Sequence, residues 1–146
     1  MTQHQFLFVP GIWLGEGTVS FSASPETIHF YTRWEIEQLP TEGFPLRCKQ
    51  TVELSGIDDK VTNVVEVTPV DSTSFEIWIE NDQMVRVGGK GVIDPKKIAW
   101  EFRGKDNFEG FEVYELVDNG DYQMHAEYAS GDQFRTIING RIWKKE

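Results

Sequence analysis

The sequence predicts an all-β protein: an antiparallel up-and-down β-barrel of about ten strands, forming a single domain over residues 1–146. Two observations predict this fold class. Polar and apolar residues alternate with a period of two along most of the chain, as in strands with one buried face. The turn signals between these runs are too short to hold crossover helices, so successive strands pair antiparallel. Barrel closure then removes both exposed sheet edges, and a two-sheet sandwich is the alternative arrangement.

The alternation is clearest in the second and third predicted strands, TIHFYTRWEIE and LRCKQTVEL. In the first of these, Phe30 and Trp34 share one face, while His29 and Arg33 share the other. One longer connection, QLPTEGFP, contains two prolines and a glycine and is expected to be a loop. The predicted strands are, in order, 12–23, 27–37, 46–54, 61–70, 74–80, 84–93, 97–103, 109–117, 122–129 and 133–144.

The first strand opens with GIWLGEG, in which Trp13, Gly15 and Gly17 share a face. A glycine inside a strand marks a bend, a bulge or space for a close neighbour. We therefore expect these two glycines to curve the sheet, with room for a ligand as the alternative.

Gly11, Ile12 and Trp13 form a G-x-W motif that resembles the start of the calycins, the group that contains lipocalins and fatty-acid-binding proteins. The resemblance implies a lipocalin-like barrel with Trp13 closing one end. It also implies that a basic residue near the end of the last strand, NGRIWKK, packs across that indole. Arg141 is the candidate, with Lys144 second, and the contact would be a cation–π interaction.

The longer string GIWLGEG is also similar to the start of nitrobindin-like proteins, whose ten-stranded barrels bind haem. In that family the histidine that ligates haem lies near the end of the chain. The last predicted strand here, QFRTIINGRIWKK, contains no histidine, and His125 on the preceding strand is the nearby candidate. We therefore predict no cofactor, with haem as the alternative.

Composition excludes several classes of partner. The formal net charge of −10 disfavours nucleic acid and anionic membrane surfaces. Cys48 is the only cysteine, so neither an intrachain disulfide nor a cysteine zinc cage is expected, and no metal site is predicted. The N-terminal stretch lacks the features of a signal peptide, and no segment has the length and hydrophobicity of a membrane span, so we expect a cytoplasmic protein. His4 falls in a segment expected to be a disordered tail.

Aromatic and polar side chains on inward faces are the candidates for ligand binding. Trp34 and Trp100 lie on apolar faces and either fill the barrel or line a cavity. His125 is on a polar face in one interpretation, and with Arg135 it forms an interior polar cluster in the other. The predicted ligand-binding residues are Trp34, Gln50, Trp100, Tyr114, His125, Tyr128 and Arg135.

Some polar residues fall on otherwise apolar strand faces, where burial without a partner costs about 1–3 kcal/mol each. These residues are Thr32, Cys48, Gln50, Asn63 and Arg86. Neighbouring side chains or water are expected to satisfy them, and orientation of a ligand's polar end is the alternative.

Recognised catalytic motifs are missing, so we expect a protein that binds a small hydrophobic or amphipathic ligand rather than an enzyme. A small-molecule lyase, cyclase or decarboxylase on the same barrel is the alternative, and it would require an inward His125, Arg135 or buried carboxylate. A structural or interaction protein with a packed core is a third hypothesis. An apolar stripe that includes Phe111 and Val113 predicts a homodimer.

Overall fold

A computed structural model describes residues 4–22, 25–37, 45–58, 60–81, 84–103, 109–129 and 135–145, with the side chains of 84 and 85 left out. Ten strands cover most of these residues. They are β1 (Gly11–Phe21), β2 (Thr27–Glu37), β3 (Leu46–Leu54), β4 (Lys60–Pro69), β5 (Ser74–Asn81), β6 (Met84–Ile93), β7 (Lys97–Arg103), β8 (Glu109–Leu116), β9 (Tyr122–Ala129) and β10 (Arg135–Lys144). No helix in this part of the chain is long and apolar enough to cross a membrane.

The strands form a closed antiparallel barrel in which each strand pairs with its neighbours in sequence, and β1 pairs with β10. The last pairing places Trp13 opposite Lys144 and Gly17 opposite Gly140. The predicted fold class, an all-β up-and-down barrel of about ten strands, is therefore confirmed, and the two-sheet sandwich is wrong. Closure satisfies the backbone groups that the edges of an open sheet would expose.

The strand boundaries agree with the predicted ones to within a residue or two over the described chain. The predicted strand ends at Ala23 and Gln133 lie outside the described residues, and so does most of the predicted loop 38–45. Agreement is close because residues alternate between the barrel interior and solvent only within a strand, so the end of the alternation in the sequence marks the end of the strand.

The two ends of the barrel differ. At the end where β1 begins, the segment 4–10, which we call the plug, folds across the opening, and we call this the closed end. At the opposite end no described segment covers the barrel in this way, and we call it the open end. Phe6 and Leu7 of the plug are fully buried, and the Phe6 ring lies 5.4 Å from Trp13 and 4.9 Å from Tyr114, centroid to centroid. Leu7 has a φ of 76°, a left-handed conformation that leucine rarely adopts and that its complete burial holds in place.

His4 belongs to this plug, so the expectation of a disordered tail at His4 is wrong. Its ring is 4% exposed, with Nδ1 2.7 Å from the Tyr122 hydroxyl and Nε2 2.6 Å from the Asp94 carbonyl oxygen. These contacts join the N-terminal segment to β9 and to the turn after β6. The apolar residues that follow His4 pack into a hydrophobic cluster. The pattern of so short a segment does not reveal this burial.

The glycines of the first strand lie where neighbouring chain segments come very close. A Cβ atom on Gly15 would stand 2.6 Å from a side-chain carbon of Ile142 and 2.9 Å from the Arg141 carbonyl oxygen. At Gly17 the same atom would overlap the backbone of β10 and the Phe30 ring. Close packing of the barrel wall therefore explains both glycines, and neither opens space for a ligand.

Candidate functional site

A cavity of about 320 Å³ occupies the open half of the barrel. This volume is at the lower end of the range for small-molecule sites, about 300–1,000 Å³. Most of its wall is aliphatic or aromatic, and apart from Thr136 on β10 the polar groups lie on two sets of strands, β2 to β5 and β8 with β9. The lining residues are Val19, Phe30, Thr32, Gln50, Val52, Val61, Asn63, Ile79, Asn81, Phe102, Glu112, Tyr114, Met124, Tyr128, Thr136, Ile138 and Ile142.

An aromatic cluster forms the floor of the cavity and separates it from the plug. Tyr114 lines the cavity and stacks on Trp100 at 5.0 Å with an interplanar angle of 24°. Trp34 lies beyond it, with its ring 6.4 Å from Trp100 and 5.3 Å from Phe6. These contacts fill the closed half of the barrel, so the free volume is confined to the open half.

Glu112 on β8 places a carboxyl group in the cavity wall, where the side chain is 8% exposed. The Tyr114 hydroxyl donates to Oε1 at 2.7 Å, the Tyr128 hydroxyl donates to Oε2, and the Trp100 side chain also hydrogen-bonds the carboxyl group. Burial raises the pKa of Glu112 above its ordinary value, and these hydrogen bonds oppose part of that rise. Burial and the charge on Glu112 raise the pKa values of both tyrosines well above normal, so both hydroxyls remain donors.

Gly110 explains how Tyr128 reaches this carboxyl group. It is paired with Tyr128 across β8 and β9, and the tyrosine ring lies directly over its Cα. A Cβ atom at this position would overlap the ring and approach the Glu127 carbonyl oxygen to 2.8 Å. The missing side chain therefore lets the tyrosine lie along the wall toward Glu112, two residues away on the same face.

A chain of side-chain hydrogen bonds crosses four neighbouring strands on another part of the cavity wall. Asn81 donates to Asn63 at 2.9 Å, Asn63 donates to Gln50 at 3.0 Å, and Gln50 donates to the Thr32 hydroxyl at 3.3 Å. We call these four residues, on β2 to β5, the amide ladder. It pairs three of the polar residues that the sequence places on apolar faces, Thr32, Gln50 and Asn63, and leaves them aligned along the cavity.

The amide ladder and Glu112 lie on opposite walls. In the ring order of the barrel, β3 is five strands away from β8 and β4 is five strands away from β9, which is half of the circuit of ten. The residues between the two polar groups are mostly apolar. The cavity is therefore apolar in the middle and polar on two facing sides.

The structure brings some predicted binding residues together and separates others. Gln50, Tyr114 and Tyr128 line the cavity. Trp34 and Trp100 are buried, at 1% and 3% exposure, in the aromatic cluster beneath it. The Trp34 Nε1 has no acceptor among the described residues.

His125 and Arg135 do not enter the barrel, which corrects the interpretation that places them inside. Met124, Ala126 and Tyr128 face the interior, so the alternation of β9 directs His125 outward. There His125 lies 2.6 Å from Asn139 and 2.9 Å from Glu127, and Arg135 lies 3.3 Å from Glu127. The bond to Asn139 and then the contact with Glu127 raise the pKa of His125.

Arg141 is also placed differently from its prediction. Trp13 faces the interior at 2% exposure, whereas Arg141 is exposed on the outer face and lies 5.0 Å from the centre of the Trp143 ring. Adjacent residues of a strand point to opposite faces, and the inward position next to Arg141 belongs to Ile142. Phe6 and Tyr122 supply the aromatic contacts that cover Trp13.

Arg86 is likewise on the outer face, where it contacts Glu66 at 2.6 Å and lies 4.9 Å from the centre of the half-exposed Trp78 ring. Cys48 is buried in the closed half, and burial, reinforced by the charge on Glu37, raises the pKa of its thiol to about 12. Neither residue belongs to the cavity wall.

Histidine ligation of haem does not fit this cavity. His4 is held in the plug, while His29 pairs with Thr18 and, like His125, lies on the outer side of its strand. None of the three histidines of the sequence lines the cavity. Among the described side chains, no group of three His, Cys, Asp or Glu residues is close enough to hold a metal ion.

The sequence prediction missed Asn81 of the amide ladder, and it also missed Glu112. Glu112 sits two residues before Tyr114 and is therefore on the same face as that tyrosine and Leu116. The alternation of β8 carries this signal, but an acidic residue in a strand ordinarily faces solvent.

No family model matches the sequence, and no curated protein matches it significantly. Among solved structures, the chain is similar to an S-type phycobiliprotein lyase from Guillardia theta, with a TM-score of 0.71 and 8% sequence identity. The match covers 94% of this chain and 88% of the lyase, so the whole barrel is shared in fold. A hot dog fold protein of unknown function from Alicyclobacillus acidocaldarius matches with 12% identity over 93% of this chain and 80% of its own, but the TM-score of 0.28 is too low to indicate a shared fold.

Proposed function

We propose that this protein binds a small amphipathic molecule in the open half of the barrel. The observation that carries the proposal is the cavity of about 320 Å³, which is mostly apolar and has polar groups on two facing walls. An apolar cavity with a few convergent polar groups is the usual form of a small-molecule site. The fold that the chain shares with an S-type phycobiliprotein lyase is in keeping with this proposal.

Neutral fluorescent probes test this function directly. N-phenylnaphthylamine, which brightens in apolar surroundings, is expected to bind with one saturable site per chain. Ile138 lines the cavity and its neighbour Ile137 faces outward, so the two positions provide a matched pair. Ile138→Trp is expected to fill the cavity and abolish binding, whereas Ile137→Trp is expected to preserve it.

Native mass spectrometry of the purified protein with fatty acids, retinoids, haem and bilins then surveys ligand classes. Failure of the probe to bind the unsubstituted protein, together with an empty survey, would contradict the proposal. Equal binding by the two isoleucine variants would place the probe outside the cavity. Such a result would favour the third hypothesis, a packed protein that acts through its surface.

A reaction on the bound molecule is the second candidate function, and Glu112 is the observation that favours it. A carboxyl group that borders the cavity can act as a general acid or base toward a molecule bound there, and burial raises the pKa of Glu112. A lyase or cyclase step of this kind predicts a ligand that changes chemically after incubation with the protein. At ligand concentrations high enough to saturate the variant, Glu112→Gln is expected to leave the mass and absorption spectrum of that ligand unchanged.

We also propose a cytoplasmic location, which the single buried cysteine favours, and a homodimer, which the apolar stripe favours. Phe111 is 38% exposed on the outer face of β8, next to the half-buried Val113. Light scattering at micromolar concentration is expected to give twice the chain mass, and Phe111→Glu is expected to return the protein to a monomer. A monomeric mass for the unsubstituted protein would contradict the dimer.

A further inference from the structure

We infer that the barrel selects a ligand with a cationic nitrogen, held by the Glu112 carboxylate, and rejects ligands that carry a carboxylate. This inference rests on the proposed function and specifies the class of molecule. It follows from the charges that line the cavity rather than from the cavity's size.

The charge inside the cavity has one sign. Among the residues that the structure describes, Glu112 is the only acidic residue of the lining, and none of the lining residues is Lys, Arg or His. A ligand carboxylate would therefore share the interior with Glu112 and find no counter-charge there. Charges interact most strongly where water is excluded, so this absence discriminates between ligands more than the same absence would on a surface.

The hydrogen bonds at Glu112 leave it able to accept one more donor. A carboxylate has about four acceptor positions, and the described structure fills three of them, with Tyr114, Tyr128 and the Trp100 side chain. The remaining capacity belongs to a group that borders the cavity. A protonated amine supplies both a donor and the missing positive charge.

The facing wall complements this arrangement without adding charge. The amide ladder presents neutral groups that both donate and accept hydrogen bonds, so it favours a polar but uncharged part of the same molecule. The net charge of −10 acts in the same direction at long range, because it attracts cations toward the protein and repels anions. The ligand class is therefore a compact amine with an apolar middle and a second polar group.

Three ligands of equal length separate charge from hydrophobicity: octylamine, octanol and octanoate. Each is titrated against N-phenylnaphthylamine bound to the protein at about pH 8, because a carboxyl group is more fully ionised at this pH than at neutral pH. The dissociation constant of octylamine, measured by displacement of the probe, is expected to be lower than that of octanol by about tenfold or more. Octanoate is expected to compete more weakly than octanol.

Two substitutions show whether the preference comes from Glu112. Glu112→Gln is expected to reduce the affinity for octylamine about tenfold and to raise the affinity for octanoate, while the affinity for octanol changes little. Glu115→Gln makes the same change in net charge on the outer face of β8 and is expected to leave all three affinities unaltered. The ligand ranking on the unsubstituted protein tests the inference even if Glu112→Gln fails to fold.

The outcomes are distinct. Octanoate binding as tightly as octylamine, or equal effects of the two substitutions, would overturn the amine preference while leaving the binding function intact. A probe that fails to bind at all would overturn both. The expected ranking, with loss of the amine preference in Glu112→Gln alone, would establish the ligand class.

Discussion

Glu112→Gln tests the energetic cost of placing a carboxyl group inside the barrel. Burial raises the pKa of Glu112 in the folded protein above the value it has in the unfolded chain. Between these two pKa values, the folded protein holds a proton that the unfolded chain has released. Stability from this group is therefore complete below the unfolded pKa and is lost as the pH rises through the folded pKa.

The size of the loss follows from linkage. Each unit by which the folded pKa exceeds the ordinary glutamate value of about 4.3 corresponds to about 1.4 kcal/mol of unfolding free energy. Glutamine occupies nearly the same volume and does not titrate, so the variant lacks this pH dependence. The free energy of unfolding of the unsubstituted protein minus that of Glu112→Gln should fall with pH at about 1.4 kcal/mol per unit and then become constant.

Urea unfolding monitored by tryptophan fluorescence, in steps of pH from about 4 upward, measures this difference. The pH at which the difference becomes constant gives the folded pKa of Glu112. Glu115→Gln, on the exposed face of the same strand, serves as the control and should differ from the unsubstituted protein by a small amount with little pH dependence. A flat difference for Glu112→Gln, or one that rises with pH, would refute the reasoning, because it would mean that hydrogen bonds outweigh burial.

The remaining predictions concern neighbouring parts of the barrel. Tyr128→Phe removes a hydrogen bond to the ionised carboxylate worth about 1.5–3 kcal/mol, so the folded pKa of Glu112 should rise by about 1–2 units. The difference in unfolding free energy between Tyr128→Phe with and without Glu112→Gln should therefore become constant at a pH higher by that amount, and an unchanged pH would contradict the bond. Phe6→Ala should lower the free energy of unfolding by about 3–5 kcal/mol, because the ring is fully buried in the plug, and a loss below 1 kcal/mol in urea melts would show that the plug is not part of the cooperative core. The Cys48 thiol, with a pKa of about 12, should not react with Ellman's reagent at about pH 8 until the protein is unfolded; rapid reaction of the folded protein would contradict its burial.

Period-two alternation allowed the strands and most strand faces to be predicted from the sequence. Trp13, Phe30 and Trp34 all face inward as their spacing indicates. The same parity applies to β9, where Met124 and Tyr128 occupy one face and His125 the other. Assigning His125 to the interior required the apolar face of that strand to point toward solvent, which the burial of Met124 contradicts.

The plug and the acidic site were harder to predict for different physical reasons. Phe6 belongs to a short segment without periodicity, and its burial depends on an opening that exists only after ten strands have closed. Glu112 follows the alternation correctly, yet its charge argues against burial unless the donors on Tyr114 and Tyr128 are known to converge on it. The volume of the cavity depends on how large side chains pack across the barrel, which no local pattern determines.

The plug also limits how the ligand proposed above would enter the barrel. Phe6 and the rings around it seal one rim, so such a ligand would enter from the other rim, and its leading part would stop at Tyr114. A space of about 320 Å³ leaves little freedom for a bound molecule to turn over. The trailing part of the proposed ligand would therefore face outward and leave first, so the barrel would release its ligand in one orientation.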